Sequence, residues 1–136
     1  MSEGIRRVQS GSPWEDVIGF ARAVAAGDRV VVGGTTAFKG SVLHGEGDPY
    51  EQARAAFGHA LEALTEFGLG PESVIRTRMY LTHVRDVDAV GRAHAELFDA
   101  VRPAATLLVV EGFVDPRILV EVELEAFRGG AEGASS

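Results

Sequence analysis

The sequence predicts an α+β domain: one sheet with two helices on one of its faces. Three observations predict it. Segments with strand and helix patterns follow one another in the order βββ, α, β, α, ββ. Two helices can cover only one face of such a sheet. The last strand alternates strictly between apolar and acidic residues, as a strand with one buried and one open face should.

Ile18 to Ala25 is mixed apolar and reads as a first strand, followed by a turn at Gly27-Asp28. Arg29 to Val32 is a short β-branched strand that Gly33-Gly34 ends. Thr35 to Leu43 reads as a third, edge-like strand, with Gly45, Gly47 and Pro49 in the loop after it. The first helix starts well. Asp48 suits the N-cap, Pro49 the first helical position, and Glu51 can reach back to the cap. Ala53, Phe57, Ala60, Leu61 and Leu64 then recur at helical spacing, and Gly68 is the stop.

Ser73 to Thr82 alternates as a strand. Ile75, Thr77, Met79 and Leu81 form one face, and Val74, Arg76, Arg78, Tyr80 and Thr82 the other. A second helix runs from about Asp86 to Val101, with Val87, Val90, His94, Leu97 and Val101 along one side. Ala104 to Val110 is an apolar strand, Asp115-Pro116 a turn, and Leu119 to Phe127 the final strand. In that strand Val120, Val122, Leu124 and Ala126 form the apolar row. Glu121, Glu123 and Glu125 form the acidic one, with neighbours about 7 Å apart. Three like charges in a row repel unless solvent or cations intervene, and Arg76 and Arg78 offer cations. Pattern leaves two readings open: a monomer whose polar face is solvated, or a face closed by further copies of the chain.

With 136 residues, 46% of them apolar, the chain fits one domain, residues 1–128, and a Gly/Ala/Ser-rich tail, 129–136, that frays. A net charge of −7 argues against a nucleic-acid partner, because phosphate binding needs a basic patch. The absence of cysteine removes disulfides, thiolate metal sites and thiol nucleophiles, and fits a cytoplasmic protein. No apolar run is long enough to span a membrane, and no apolar signal core follows the N-terminus. His44, His59, His83 and His94 show no metal spacing, and Gly33-Gly34 does not open a helix as a phosphate loop would. The expectation is therefore no metal, no cofactor, no nucleic acid and no membrane.

Several segments together resemble the RidA/YjgF family. Arg102-Pro103-Ala104-Ala105-Thr106, with Asp115-Pro116-Arg117-Ile118-Leu119-Val120-Glu121-Val122-Glu123 after it, is similar to that family's C-terminal signature. Val31-Val32-Gly33-Gly34-Thr35 resembles its strand ending in a Ser-Gly pair, and Arg76-Thr77-Arg78-Met79-Tyr80-Leu81-Thr82 its central strand. The match runs from about residue 5 to 127. The resemblance implies a chorismate-mutase-like fold and a homotrimer, with sheets forming an inner barrel, helices outside, and pockets in the clefts between subunits.

Family deaminases hydrolyse enamines and imines such as 2-aminoacrylate to 2-keto acids and ammonia. An arginine holds the substrate carboxylate, since a guanidinium fork pairs with it bidentately. Here the matching residue is Ala105. Other pocket positions depart too. Gly33 stands for a serine, Phe20 for a tyrosine (across a one-residue gap), Gly91 for an asparagine and Leu107 for a cysteine. Thr106 keeps a hydroxyl, suited to hydrogen bonding in the cleft. Glu121 alone matches the family glutamate that positions or activates water. It carries two readings, a general acid/base or one rung of a structural ladder. Arg102 is a possible replacement cation, with Arg22 and Arg78 behind it as ion-pair formers. Trp14 lines a pocket or packs an N-terminal arm, and His94 is read as a hydrogen-bonded core histidine.

The expected function is a trimer binding a small, fairly apolar metabolite, with Glu121 acting by hydrolysis, tautomerisation, or cyclisation and dehydration of an enamine, imine or carbonyl compound. A non-catalytic ligand-binding or chaperone-like trimer, and a residual deaminase, are the alternatives.

Overall fold

The computed structural model describes residues 4–129. Six strands form one sheet in the order β1-β2-β3-β8-β6-β7. They are β1 (Ile5–Val8), β2 (Ala23–Ala26), β3 (Arg29–Thr35), β6 (Val74–Leu81), β7 (Ala104–Val109) and β8 (Val120–Phe127). Only β6 and β7 run parallel, joined through a helical crossover; every other pair is antiparallel. A separate hairpin, β4 (Phe38–Lys39) with β5 (Val42–Leu43), stands between β3 and the first helix. Helices α1 (Pro49–Thr65) and α2 (Val87–Phe98) pack together, and α1 lies on β3 and β8.

The core sits between the helices and one sheet face. Val120, Val122, Leu124 and Ala126 are all buried, so the period-two reading of the last strand holds. Phe57, Leu64 and Phe98 fill the helix side. Each large side chain of this kind contributes about 1.5–3 kcal/mol when removed from water. Small residues at Ala53, Ala56, Ala60 and Ala63 occupy the buried side of α1. Asp48 caps α1 by accepting from the Glu51 N–H at 3.1 Å, as its type and position predict. Glu51 does not reach back; its carboxylate pairs with His44 instead.

Several boundaries differ from the sequence reading. The first strand is Ile5–Val8, whose polar Arg6-Arg7 pair hides it, and Glu15–Gly19 is a π-helical turn rather than the start of a strand. Only the last residues of Ile18 to Ala25 join the sheet, as β2. Thr35 closes β3, and the segment to Leu43 folds back on itself as the hairpin. A 3-10 turn, Val84–Asp86, precedes α2, which ends at Phe98 and leaves Val101 outside it. Ile75 belongs to neither predicted face: the register slips by one residue between Val74 and Arg76, a bulge that puts Val74 with Thr77 and Met79 in the core. Trp14 is half exposed in the chain. Of the expected tail, only Gly129 falls within the described residues.

No helix among the described residues is long and apolar enough to cross a membrane. Nor do the described residues hold a group of three metal-ligating side chains.

Candidate functional site

The site is organised by a second bulge. Between Val32 and Thr35, β3 carries one more residue than β8 across from it: Gly33 and Gly34 stand against Glu123 alone. The bulge keeps Val32 and Thr35 both buried on the core side. It also brings the Gly34 backbone under Glu121: a Cβ on Gly34 would overlap the Glu121 carboxylate. Glycine is therefore required here by close approach, since Gly34 has no positive φ.

Glu121, Glu123 and Glu125 point to the face of the sheet away from the helices, and they differ in their partners. Register places Tyr80 opposite Glu121, Arg78 opposite Glu123 and Arg76 opposite Glu125. Glu125 pairs with Arg29 at 2.9 Å and Arg78 at 3.3 Å. Glu123 accepts from the Tyr80 hydroxyl at 3.1 Å and lies 3.5 Å from Arg78. Glu121 has no hydrogen-bond or ion-pair partner among the described residues. Burial raises its pKa above the ordinary carboxylate value, and the neighbouring Glu123 charge adds to the rise; the Arg22 charge opposes it. Burial likewise raises the Tyr80 phenol, with the Glu123 hydrogen bond as the second cause. Of the two expected cations, Arg78 serves the ladder. Arg76 makes no ion pair among the described residues, and its buried Nε has no partner.

Arg22 lies at the other side of the bulge. Its backbone N–H donates to Val8 O at 2.8 Å, and its carbonyl accepts from the Gly33 N–H at 3.0 Å. Its Nη1 donates to Gly34 O and to Thr35 Oγ1, each at 3.1 Å, and Nη2 donates to Ser10 Oγ at 3.2 Å. Ser10 is fixed in turn by Glu15, a buried carboxylate that accepts from the Ser10 hydroxyl, the Ser10 and Gly11 N–H groups and Gln9 Nε2. Together these bonds more than offset burial and hold the Glu15 pKa low.

The remaining predicted residues divide into two sets. Parallel strand partners share a face, so Ala105 and Leu107, opposite the buried Thr77 and Met79, lie on the helix side of the edge strand β7. Leu107 packs against the core and Ala105 is exposed. Thr106, opposite Arg78, lies on the Glu121 face. It is separated from β8 by β6, a span of about 9–10 Å between strand axes. Gly91, on α2, has open space where a side chain would stand. Phe20 is exposed, at the end of the π-helical turn and two residues before Arg22. One chain thus brings Glu121 to the glycine bulge but leaves Ala105 and Leu107 on the opposite face.

Within one chain the Arg102 guanidinium is engaged by Asp99. Arg102 has a left-handed backbone (φ 59°), and its side chain is held by Asp99: Nη2 to Oδ1 at 2.8 Å and Nε to the carbonyl at 2.7 Å. His94 is a core histidine, with Nε2 2.8 Å from Thr77 Oγ1 and its ring against Phe57 and Phe98. A concavity of about 460 Å³ lies elsewhere, between the hairpin and α1, lined by Lys39, His44, Arg54 and His59 among others. A smaller one, about 180 Å³, borders His94, Phe98 and Arg102. Neither includes Glu121, whose surroundings in one chain are an open sheet face.

Sequence reasoning missed Gly34 as a site residue, and it read Arg22 as an ion-pair former, whereas its guanidinium is bonded to Gly34 O, Thr35 Oγ1 and Ser10 Oγ. A glycine pair inside a β-branched strand is the available signal for the first. Nothing local marks the bonding of Arg22, because its partners are 12 or 13 residues away on both sides.

The mixed sheet backed by two helices, with a glycine-bulged strand beside a glutamate, defines a class of small α+β domain. The chain belongs to the endoribonuclease L-PSP family, also called YjgF or RidA: that family's model matches residues 13–127. It is 72% identical over 131 residues to an uncharacterized protein of Streptomyces coelicolor, covering 96% of this chain and 98% of the other. The crystal structure of Rv2704 from Mycobacterium tuberculosis, a YjgF-family member, is similar with TM-score 0.83 and 36% identity, over 90% of this chain and 98% of that one. A Pseudomonas aeruginosa protein of unknown function has TM-score 0.77 and 29% identity, over 90% of this chain and 92% of its own.

Proposed function

We propose that the chain works as a homotrimer whose open sheet faces meet, and that it converts a small, fairly apolar metabolite in the clefts between copies. The observation that carries this reading is Glu121: the one carboxylate of its row without a partner among the described residues, set over a glycine bulge with a raised pKa. Structural ladder carboxylates are paired, as Glu123 and Glu125 are. A desolvated, unpaired carboxyl beside solvent-accessible backbone is suited to carrying a proton. The division of the predicted residues between two faces supports completion by a second copy, whose edge strand would bring Ala105, Thr106 and Leu107 to Glu121, Gly33 and Phe20.

The chemistry is proton transfer on an enamine, imine or carbonyl compound, leading to hydrolysis, tautomerisation, or cyclisation and dehydration, without a cofactor. Ala105 gives a 2-iminoacid carboxylate no fork to bind, so ordinary deaminase turnover is weak or absent. A net charge of −7 argues against an endoribonuclease activity, which needs a basic surface for phosphates. A cysteine-free chain suits the cytoplasm.

The test is direct. Generated 2-aminoacrylate should release little ammonia above background, and vigorous turnover overturns the altered-chemistry reading. Glu121→Gln should abolish conversion of the metabolite recovered with the protein, without changing its solution size. Recovery of a bound compound that is never converted points instead to a binding-only trimer.

A further inference from the structure

We infer that Arg22 is a substrate-binding residue that holds the oxygen of an enolisable, uncharged carbonyl compound while Glu121, across Gly34, moves the proton. The inference rests on the acid/base reading of Glu121 and adds to it the oxygen anchor and the class of substrate.

The two side chains flank one exposed glycine. Glu121 lies against the Cα of Gly34, and Arg22 Nη1 donates to the carbonyl oxygen of the same residue. The guanidinium is bonded to neutral oxygens only: Gly34 O, Thr35 Oγ1 and Ser10 Oγ. These use three of its five N–H groups, so two N–H donors are without a partner among the described residues. No carboxylate forms an ion pair with it among the described residues, unlike Arg29, Arg54, Arg78, Arg102 and Arg117. Its position is fixed from behind by the Ser10–Glu15 clasp, so little reorganisation accompanies ligand binding.

Charge selects the substrate. With Glu121 ionised and Arg22 cationic the bare site is neutral. A carboxylate placed there would leave an uncompensated negative charge beside Glu121, which is costly in a partly desolvated cleft. A neutral carbonyl leaves the balance unchanged at every stage. Glu121 takes a proton from the carbon next to the carbonyl. The C–H electron pair becomes the C=C bond, and the carbonyl π pair moves to oxygen. The enolate charge then appears next to Arg22 as the Glu121 charge disappears. Return of the same proton to carbon or to oxygen completes an isomerisation with no oxidant, reductant or leaving group. Interactions that strengthen only as the oxygen gains charge lower the barrier rather than the ground state.

The experiment follows hydrogen-to-deuterium exchange at C3 of butan-2-one in D2O by proton NMR, with 2-oxobutanoate as the carboxylate-bearing comparison. The wild type should accelerate exchange of the ketone more than that of the oxo acid. Arg22→Gln should reduce the ketone rate about ten- to a hundredfold, the loss of a charged hydrogen bond to the developing oxyanion. Arg22→Lys should fall between, with a raised half-saturating ketone concentration. Wild-type exchange by Arg22→Gln overturns the role of Arg22 while leaving Glu121 standing; wild-type exchange by Glu121→Gln sinks the acid/base reading itself. Absence of ketone exchange in the wild type, or preference for the oxo acid, overturns the inference. If Arg22→Gln does not fold, an unchanged half-saturating concentration in Arg22→Lys overturns it.

Discussion

Glu121 rests on the backbone of Gly34, its carboxylate filling the space that any other residue's Cβ would take. Gly34→Ala should therefore displace the carboxylate and little else. The obstructing atoms are the far end of a side chain, the face is open, and the Gly34 backbone does not have a positive φ. Stability should change by less than about 1 kcal/mol, because any gain from a stiffer unfolded chain works against the local shift. Turnover should fall on the order of a hundredfold, since about an ångström of misplacement at a reacting group has that effect. Urea denaturation and a turnover assay on the same preparation check the two parts; a large loss of stability with intact turnover contradicts the arrangement.

The raised pKa of Glu121 fixes the direction of two pH effects. Burial and then the Glu123 charge raise it, and Arg22 lowers it. If ionised Glu121 starts the reaction, the acid limb of the rate profile lies above the ordinary carboxylate range. Glu123→Gln should move that limb to lower pH, and Arg22→Gln to higher pH. A pH–rate profile of each variant reads this out. The same shift acts on stability with the opposite sense from a paired carboxylate. The folded protein holds this proton more tightly than the unfolded chain. Stability is therefore lost as pH rises from the unfolded value through the folded one. Glu121→Gln should be more stable than the wild type at neutral pH and should lose that advantage below about pH 4.

What the sequence showed and what it hid follow from the range of the interactions. The apolar and acidic rows of β8 are legible because a strand's two-residue period separates them without help from elsewhere. The Asp48 cap is legible because donor and acceptor lie three residues apart. Ile5–Val8 was not legible: only pairing with β2 makes a strand of so polar a segment. The register of neither bulge was legible, for a bulge is a mismatch between two strands far apart in the chain: Gly33-Gly34 marks the place of one without its pairing, and reading β6 without the other put Val74 on the wrong face. Ala105 and Glu121 were found by resemblance, but that they sit on opposite faces of one chain depends on the order β8-β6-β7.

Thr77 and His94 make a buried polar pair whose removal should be felt only in stability. Thr77 is fully buried, and His94 Nε2 is 2.8 Å from its hydroxyl. Thr77→Val should cost about 1–3 kcal/mol, because the imidazole nitrogen is left without a partner. Thr77→Val with His94→Phe should recover much of that loss, since both polar groups then disappear and Phe57 and Phe98 offer an aromatic surround. Burial lowers the His94 pKa, so this residue's contribution is whole above the unfolded value of about 6.5 and declines as pH falls below it. Urea midpoints of the wild type and His94→Phe across pH 5 to 8 should converge toward the acid end, against the same buffer series.

Ala105→Arg addresses the residue on which the altered chemistry turns. Ala105 is exposed on the edge strand β7, so an arginine can extend from it without displacing the core. In the proposed trimer that guanidinium reaches the cleft where a neighbouring copy supplies Glu121, and it restores a bidentate partner for a substrate carboxylate. The variant should release ammonia from generated 2-aminoacrylate at least tenfold faster than the wild type, and Glu121→Gln in the same background should remove the gain. Butan-2-one exchange should change much less, because a neutral ketone has no use for a second cation. If Ala105→Arg binds and turns over 2-aminoacrylate no better than the wild type while keeping its solution size, then position 105 does not face the Glu121 cleft. The weak deaminase activity expected of this chain would then need another cause.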